Sequence, residues 1–191
     1  MAGRLEVITG PMFAGKSEEL MRRINRAKIA NKSVVVFKPD IDTRYSTVEI
    51  VSHSGAKCSA IPIPPQILFG QLKGKYPKIK ETNVVAFDEG QFFGSQFPEI
   101  CERLVKEGKR VIVAGLDLNF RGEPFGPMPI LLALADEVLK LTAICSVCGE
   151  PATRTQRLIG GKPASSKSPE VLIGGKETYE ARCREHWIVP D

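Results

Sequence analysis

No run of eighteen apolar residues occurs in the 191-residue chain, so no membrane-spanning helix is expected. A strand pattern begins within three residues of Met1, which leaves no room for a signal peptide and makes the cytosol the expected compartment. Cysteine is too scarce and too unevenly placed for a disulfide framework: five residues, three of them in the last quarter of the chain. Neither charge sign dominates. The net charge of +5 suits the phosphates of a nucleotide as well as it suits nucleic acid, and decides nothing. Internal repeats are absent. What remains, 42% hydrophobic and 26% charged residues, is the composition of an ordinary globular domain with room for a small appendage.

Apolar runs place the secondary structure. Leu5 to Thr9, Ser33 to Lys38, Asn83 to Phe87, Arg110 to Gly115 and Val138 to Ala143 read as strands. Three of these apolar runs are continuous rather than alternating, as expected of parallel strands covered on both faces. From Ser17 the spacing becomes helical, with Leu20, Ile24 and Ala27 on one face and Arg22, Arg23, Arg26 and Lys28 around the rest. Further helices are expected around Gln66 to Leu72, along the face formed by Phe97, Ile100, Cys101, Leu104 and Val105, and from Ile130 to Ala135. Cys101 on that face reads as a core residue. Asp40 to Ala60 reads as a long loop or β-hairpin with a turn at Ser52-His53-Ser54-Gly55. The prolines 62, 64 and 65 break regularity after it. Beyond Thr142 the strand–helix alternation stops. The expectation is therefore an α/β sheet domain over 1–143 and a small metal-stapled subdomain over 144–191.

Gly10-Pro11-Met12-Phe13-Ala14-Gly15-Lys16-Ser17 fits G-x-x-x-x-G-K-[ST] between a strand and a helix. A chance match in a chain of this length is on the order of one in a hundred. Its backbone N–H groups would cradle the phosphates of ATP, Lys16 would reach the β- and γ-phosphates, and Ser17 would ligate Mg²⁺. The expected fold is accordingly a P-loop NTPase-type, RecA-like parallel sheet flanked by helices. Asp88 and Glu89 follow the strand Val84-Val85-Ala86-Phe87, where Asp88 would hold Mg²⁺ through water. Glu89 would take a proton from either water or a substrate hydroxyl, so an ATPase and a kinase both stand at this point. A helicase would need two such domains.

Cys145-x-x-Cys148 and Cys183-x-x-His186 form two knuckles with the spacing of tetrahedral zinc. Four protein ligands leave no open position, so the site is expected to be structural. Zinc would then clamp the ends of the Gly- and Ser-containing segment between Gly149 and Arg182, making it either a lid over a ligand or a nucleic-acid-binding ribbon. The aromatic and basic interleaving that such a ribbon needs is thin, with only Tyr179 and Trp187 near the basic residues.

The phosphate loop, Asp42-Thr43-Arg44-Tyr45, Phe87-Asp88-Glu89-Gly90-Gln91-Phe92-Phe93, Ala114-Gly115-Leu116-Asp117 and the two knuckles together resemble the type II thymidine kinases, the cytosolic zinc-containing enzymes of thymidine salvage. The likeness runs from about residue 4 to about residue 187. It implies transfer of the γ-phosphoryl of ATP to the 5′-hydroxyl of thymidine, and of deoxyuridine, with Glu89 as the base. It also implies that the zinc-held segment is a lasso closing over the nucleoside.

Position by position, the resemblance puts Gln91 with the nucleotide-binding residues. Met12, Leu116, Phe120 and Phe125 become walls of the thymine pocket, Thr155 lies near the thymine methyl, and Val171, Leu172, Ile173 and Gly174 are lasso backbone. Tyr179 packs over the nucleoside, and Asp42 and Arg44 form a polar pair near the phosphate path. Without it, Leu116, Phe120 and Phe125 read as core. His186 stands where many relatives have cysteine, and Leu118-Asn119 and Arg121-Gly122 depart from the animal enzymes. The resemblance further implies a homotetramer with no nucleic-acid or membrane partner.

Overall fold

Runs rich in branched residues form the centre of the molecule, because such side chains fit a pleated surface covered on both faces. The computed structural model of the protein describes residues 2–42, 49–51, 57–172 and 178–191. Its first elements are β1 (Arg4–Thr9), α1 (Lys16–Ile29), β2 (Val34–Pro39), β3 (Glu49–Val51), β4 (Lys57–Ser59), β5 (Ile61–Ile63) and α2 (Phe69–Lys75). Next come β6 (Val84–Phe87), α3 (Phe97–Lys106), β7 (Arg110–Gly115), α4 (Met128–Leu134) and β8 (Glu137–Lys140). Six strands make one sheet in the order β5-β2-β6-β7-β1-β8. Every neighbouring pair in it is parallel, as the P-loop type of α/β fold requires.

The two-residue period of a strand splits the core into two layers. Leu5, Val7, Val85, Phe87, Val111 and Val113 face α3, where Phe97, Ile100, Cys101 and Leu104 meet them. Ile8, Ala86, Ile112 and Ala114 face α1 and its Leu20, Ile24 and Ala27. Cys101 is fully buried, as its place on the helix face suggested. From β1 the chain passes over the positions of β7 and β6 to reach β2. The C-terminal ends of β1, β7 and β6 therefore lie side by side at the crevice where open α/β sheets bind ligands.

Several elements differ from the sequence reading. Ile61-Pro62-Ile63, read only as a break, is the edge strand β5 beside β2. An edge tolerates proline, because one side of the strand needs no ladder donor. Val138 to Ala143 is not one strand: β8 ends at Lys140, and a separate β9 (Ala143–Ile144) pairs with β10 (Pro151–Ala152). The helix expected at Gln66 begins at Phe69, and the one expected at Ile130 begins at Met128 behind Pro127. Asp40 to Ala60 contains the antiparallel pair β3–β4; its turn at 52–55 lies outside the described residues.

Arg23, assigned with the other α1 cations to the helix surface, is buried. Its guanidinium donates to Glu6 Oε2 at 2.5 Å and to Glu19 Oε1 at 2.8 Å. Glu6, a carboxylate in the middle of an apolar strand, is fully buried and also accepts from Arg110 at 2.6 and 2.9 Å.

Among the described residues beyond β10 lies a small sheet that the glycines there did not suggest. β11 (Arg154–Ile159) lies between β12 (Lys162–Pro163) and β13 (Tyr179–Arg182), antiparallel to both. It buries Thr155, Gln156 and Arg157. The Gln156 carboxamide donates to the Ile188 carbonyl and accepts from the Ile188 amide, both at 2.8 Å. A strand holding such satisfied polar groups has no apolar run to announce it. No helix among the described residues is long and apolar enough to cross a membrane.

Candidate active site

The phosphate loop leaves β1 through Gly10, whose φ of 141° is hostile to other residues. A Cβ there would lie 2.4 Å from the Leu141 carbonyl oxygen. Phe13 at φ 65° and Gly15 at φ 82° turn the chain into α1, where Gly15 is the N-cap. Such left-handed steps gather backbone N–H groups into a concavity, at the positive end of a 14-residue helix. Lys16 Nζ donates to the Pro11 carbonyl at 2.7 Å, so the lysine is folded across the loop. Ser17 Oγ lies 3.4 Å from Asp88 Oδ2. The cavity above the loop is lined by Met12, Phe13, Gly15, Lys16, Ser17, Glu18, Glu89 and Leu116.

Glu89 is held in the left-handed region at φ 52°, ψ 45°, an unfavourable conformation for a side-chain-bearing residue and one that clusters at functional sites. The strain directs the residue out of β6 into a 3₁₀ turn over Gly90–Phe92. Gln91 is buried beneath it. Its Nε2 donates to Glu89 Oε2, and its Oε1 accepts from the Leu116 amide at 2.9 Å. Gly126, at φ 51°, lets its backbone approach: a Cβ there would meet the Gln91 carbonyl oxygen at 2.2 Å.

Met12 and Leu116 form the border of a second cavity. Phe92, Phe120, Phe125 and Tyr179 supply its aromatic wall, with Leu118, Asn119, Thr155, Arg157, Glu170, Val171 and Leu172 completing it. Phe92 and Phe125 meet edge to face, with centroids 5.8 Å apart. The polar groups are tied to protein partners: Thr155 Oγ1 accepts from the Met12 amide at 3.1 Å, and Tyr179 Oη donates to the Leu172 carbonyl at 2.6 Å. Asn119 Nδ2 donates to Glu170 Oε1 at 2.9 Å and to Glu123 Oε2 at 3.0 Å.

Cys145, Cys148, Cys183 and His186 bring their ligand atoms within 4.8 Å of one another. Cys148 Sγ and Cys183 Sγ are 3.8 Å apart, and His186 Nδ1 lies 3.2 Å from Cys183 Sγ and 3.9 Å from Cys145 Sγ. Tetrahedral zinc with Zn–S of 2.3 Å separates its sulfurs by about 3.8 Å. A disulfide would need contact at roughly 2 Å. Burial pushes the Cys145 thiol up, but the backbone amides of Cys183, Cys148 and Val147 more than offset it and hold the thiol at about 6. The donor set therefore suits zinc. Phe13 of the phosphate loop packs against both the Met12–Leu116–Phe125–Tyr179 cluster and the Ala143–Cys145–Ala152–Ala181 cluster.

The family profile described as "Thymidine kinase" matches residues 3–187. A curated protein named thymidine kinase, from Coprothermobacter proteolyticus, is 57% identical over 189 residues, covering 98% of this chain and 92% of that protein. The chain belongs to the thymidine kinase family. Among solved structures, a DNA replication initiation factor and the replication initiator DnaA bound to AMPPCP and single-stranded DNA each align at TM-score 0.44 and 15% identity. Each alignment covers 73% of this chain and 40% of the other.

Within this thymidine kinase framework, most of the residues selected from the sequence fall into two adjoining hollows. Met12, Leu116, Phe120, Phe125, Thr155, Val171, Leu172 and Tyr179 line the second cavity, and Lys16, Ser17 and Glu89 the first. Gln91 lines neither and instead links Glu89 to Leu116. Asp42 is buried, 3.2 Å from Lys38 Nζ. Arg44, Ile173 and Gly174 lie outside the described residues, as do Thr43, Tyr45 and His53. Sequence reasoning missed Arg157 and Glu170 in the second cavity; a basic residue two positions after Thr155 on a strand was the available signal for the former.

Proposed function

We propose that the protein transfers the γ-phosphoryl of ATP to the 5′-hydroxyl of thymidine, and of deoxyuridine, giving the monophosphate and ADP. The observation that carries this reading is the shared border of the two cavities. Met12 and Leu116 line both, so a phosphate chain on the loop and a base among the aromatic rings would meet at Glu89. An apolar, aromatic cavity suits a planar base, and the methyl of Thr155 suits the thymine methyl. That methyl distinguishes thymidine from deoxyuridine by only about 1–3 kcal/mol, which is why both are named.

In the proposed mechanism Gly10 to Ser17 hold the phosphates through backbone amides. Lys16 leaves the Pro11 carbonyl for the γ-phosphate, neutralising charge as it develops. Ser17 and Asp88 offer the hard oxygens that would hold Mg²⁺, which would supply charge stabilisation at the phosphates when bound. Glu89, steadied by Gln91, accepts the proton of the 5′-hydroxyl as the oxygen attacks in line. Residues 144–191 act as a zinc-anchored lasso subdomain on the 1–143 ATP-binding domain. Cys145, Cys148, Cys183 and His186 would hold zinc at its base, and Val171, Leu172 and Tyr179 cover the nucleoside and keep water from the γ-phosphate. On the family likeness, the enzyme works as a homotetramer in the cytosol, without nucleic acid.

The test is ADP release with ATP and Mg²⁺ across thymidine, deoxyuridine, deoxycytidine, DNA and RNA. Strong turnover with the first two is expected. Stimulation by nucleic acid without a response to thymidine would sink the reading.

A further inference from the structure

Arg157 is buried to 3% exposure on β11, and the groups it meets are neutral. Its Nε donates to Tyr179 Oη at 3.1 Å, Nη2 to the Glu170 carbonyl at 2.6 Å, and Nη1 to the Pro169 carbonyl. The guanidinium carbon lies 3.9 Å from the centroid of the Phe120 ring. Among the described residues no carboxylate pairs with it. A buried cation without a counter-ion is costly, and here three acceptors and a π face offset that cost. Three separate stretches of chain around the second cavity therefore converge on one side chain.

We propose that Arg157 is a positioning residue for the acceptor: it holds residues 169–172 over the cavity before the nucleoside arrives. The planar fork makes this specific. Nε and the two Nη groups reach three acceptors from three separate nitrogens in one plane, whereas an ammonium carries its three donors on a single nitrogen. The bond from Nε occupies a lone pair of Tyr179 Oη and leaves its hydrogen for the Leu172 carbonyl, so the arginine also fixes the direction of that hydroxyl. With the segment already in place, the nucleoside does not bear the entropy of ordering it. The proposal rests on reading this cavity as the nucleoside site.

The experiment compares the full-length protein with Arg157→Lys and Tyr179→Phe, by steady-state kinetics and by amide hydrogen exchange at Glu170, Val171 and Leu172. Arg157→Lys is expected to raise KM for thymidine about tenfold or more, with KM for ATP within about twofold of wild type and faster exchange at those amides. Tyr179→Phe keeps the arginine but removes one acceptor, and is expected to shift both readouts the same way by less. A wild-type thymidine KM with unchanged exchange in Arg157→Lys overturns the proposal. So does an equal rise in KM for both substrates accompanied by a lower Tm, since that marks a merely structural role. If the wild type does not use thymidine, the reading of the cavity fails, while the exchange measurement still decides whether Arg157 holds the segment.

Discussion

The hydroxyl of Thr155 accepts the amide hydrogen of Met12 at 3.1 Å, inside the protein and across 143 residues of sequence. One end of this bond is in the phosphate loop and the other is on β11, so the walls of the two cavities are fixed to each other.

Thr155→Val keeps the shape and loses the acceptor. It leaves a buried N–H unsatisfied, at a cost of about 1–3 kcal/mol, and is expected to raise KM for ATP and for thymidine together. Thr155→Ser keeps the bond and loses the methyl, so it is expected to weaken thymidine alone. Steady-state kinetics on the pair separates the two functions of one side chain.

Glu89→Gln is expected to lower kcat by about 10²–10⁴-fold with both KM values little changed. Gln91→Met removes the donor to the Glu89 carboxylate and the acceptor for Leu116, and is expected to lower kcat by about tenfold. Wild-type turnover in Glu89→Gln would exclude the base.

Acid stability depends on Glu6. Burial pushes its carboxyl up, but hydrogen bonds from Arg110, Arg23 and Arg4 outweigh burial and hold it near 2 against an ordinary 4.5. A group lowered in the folded state contributes stability above its unfolded value and loses it as pH falls through the folded one. Its contribution of about 3 kcal/mol is therefore expected to fade between about pH 5 and pH 2. Glu6→Gln should unfold more readily at pH 7, with a flatter pH dependence in that window; urea titrations at several pH values measure both.

Zinc removal by a chelator, or Cys183→Ser, is expected to loosen β13 and the segment around Tyr179 and so raise KM for thymidine. Zinc content measured alongside the kinetics checks the link. An unchanged KM in protein shown to be metal-free would separate the knuckles from the cavity.

Motifs whose chemistry requires fixed residue spacing were legible before any coordinates. Gly10 to Ser17 need a strand before them and a helix after, and they have both. The two knuckles need four ligand atoms within a few ångströms, and the fold supplies them. β5 was hidden because Pro62 reads as a breaker unless the strand lies at an edge. Arg23 was misplaced because helical periodicity gives its face, while the carboxylate it seeks, Glu6, belongs to a strand that reads as apolar. Arg157 offered only its spacing from Thr155 as a signal: its partners Phe120, Pro169, Glu170 and Tyr179 lie on other stretches of the chain. Gln91, which the resemblance put with the nucleotide-binding residues, lines neither cavity and links Glu89 to the Leu116 amide.

Phe13 touches both the cluster beside the Cys145–His186 knuckles and the cluster around Met12, Leu116, Phe125 and Tyr179, while its backbone belongs to the phosphate loop. Linkage is reciprocal: whatever factor a metal at the knuckles adds to nucleotide affinity, nucleotide adds to the retention of the metal. Should zinc tighten nucleotide binding by this route, the protein starved of substrate would be the first to lose its metal.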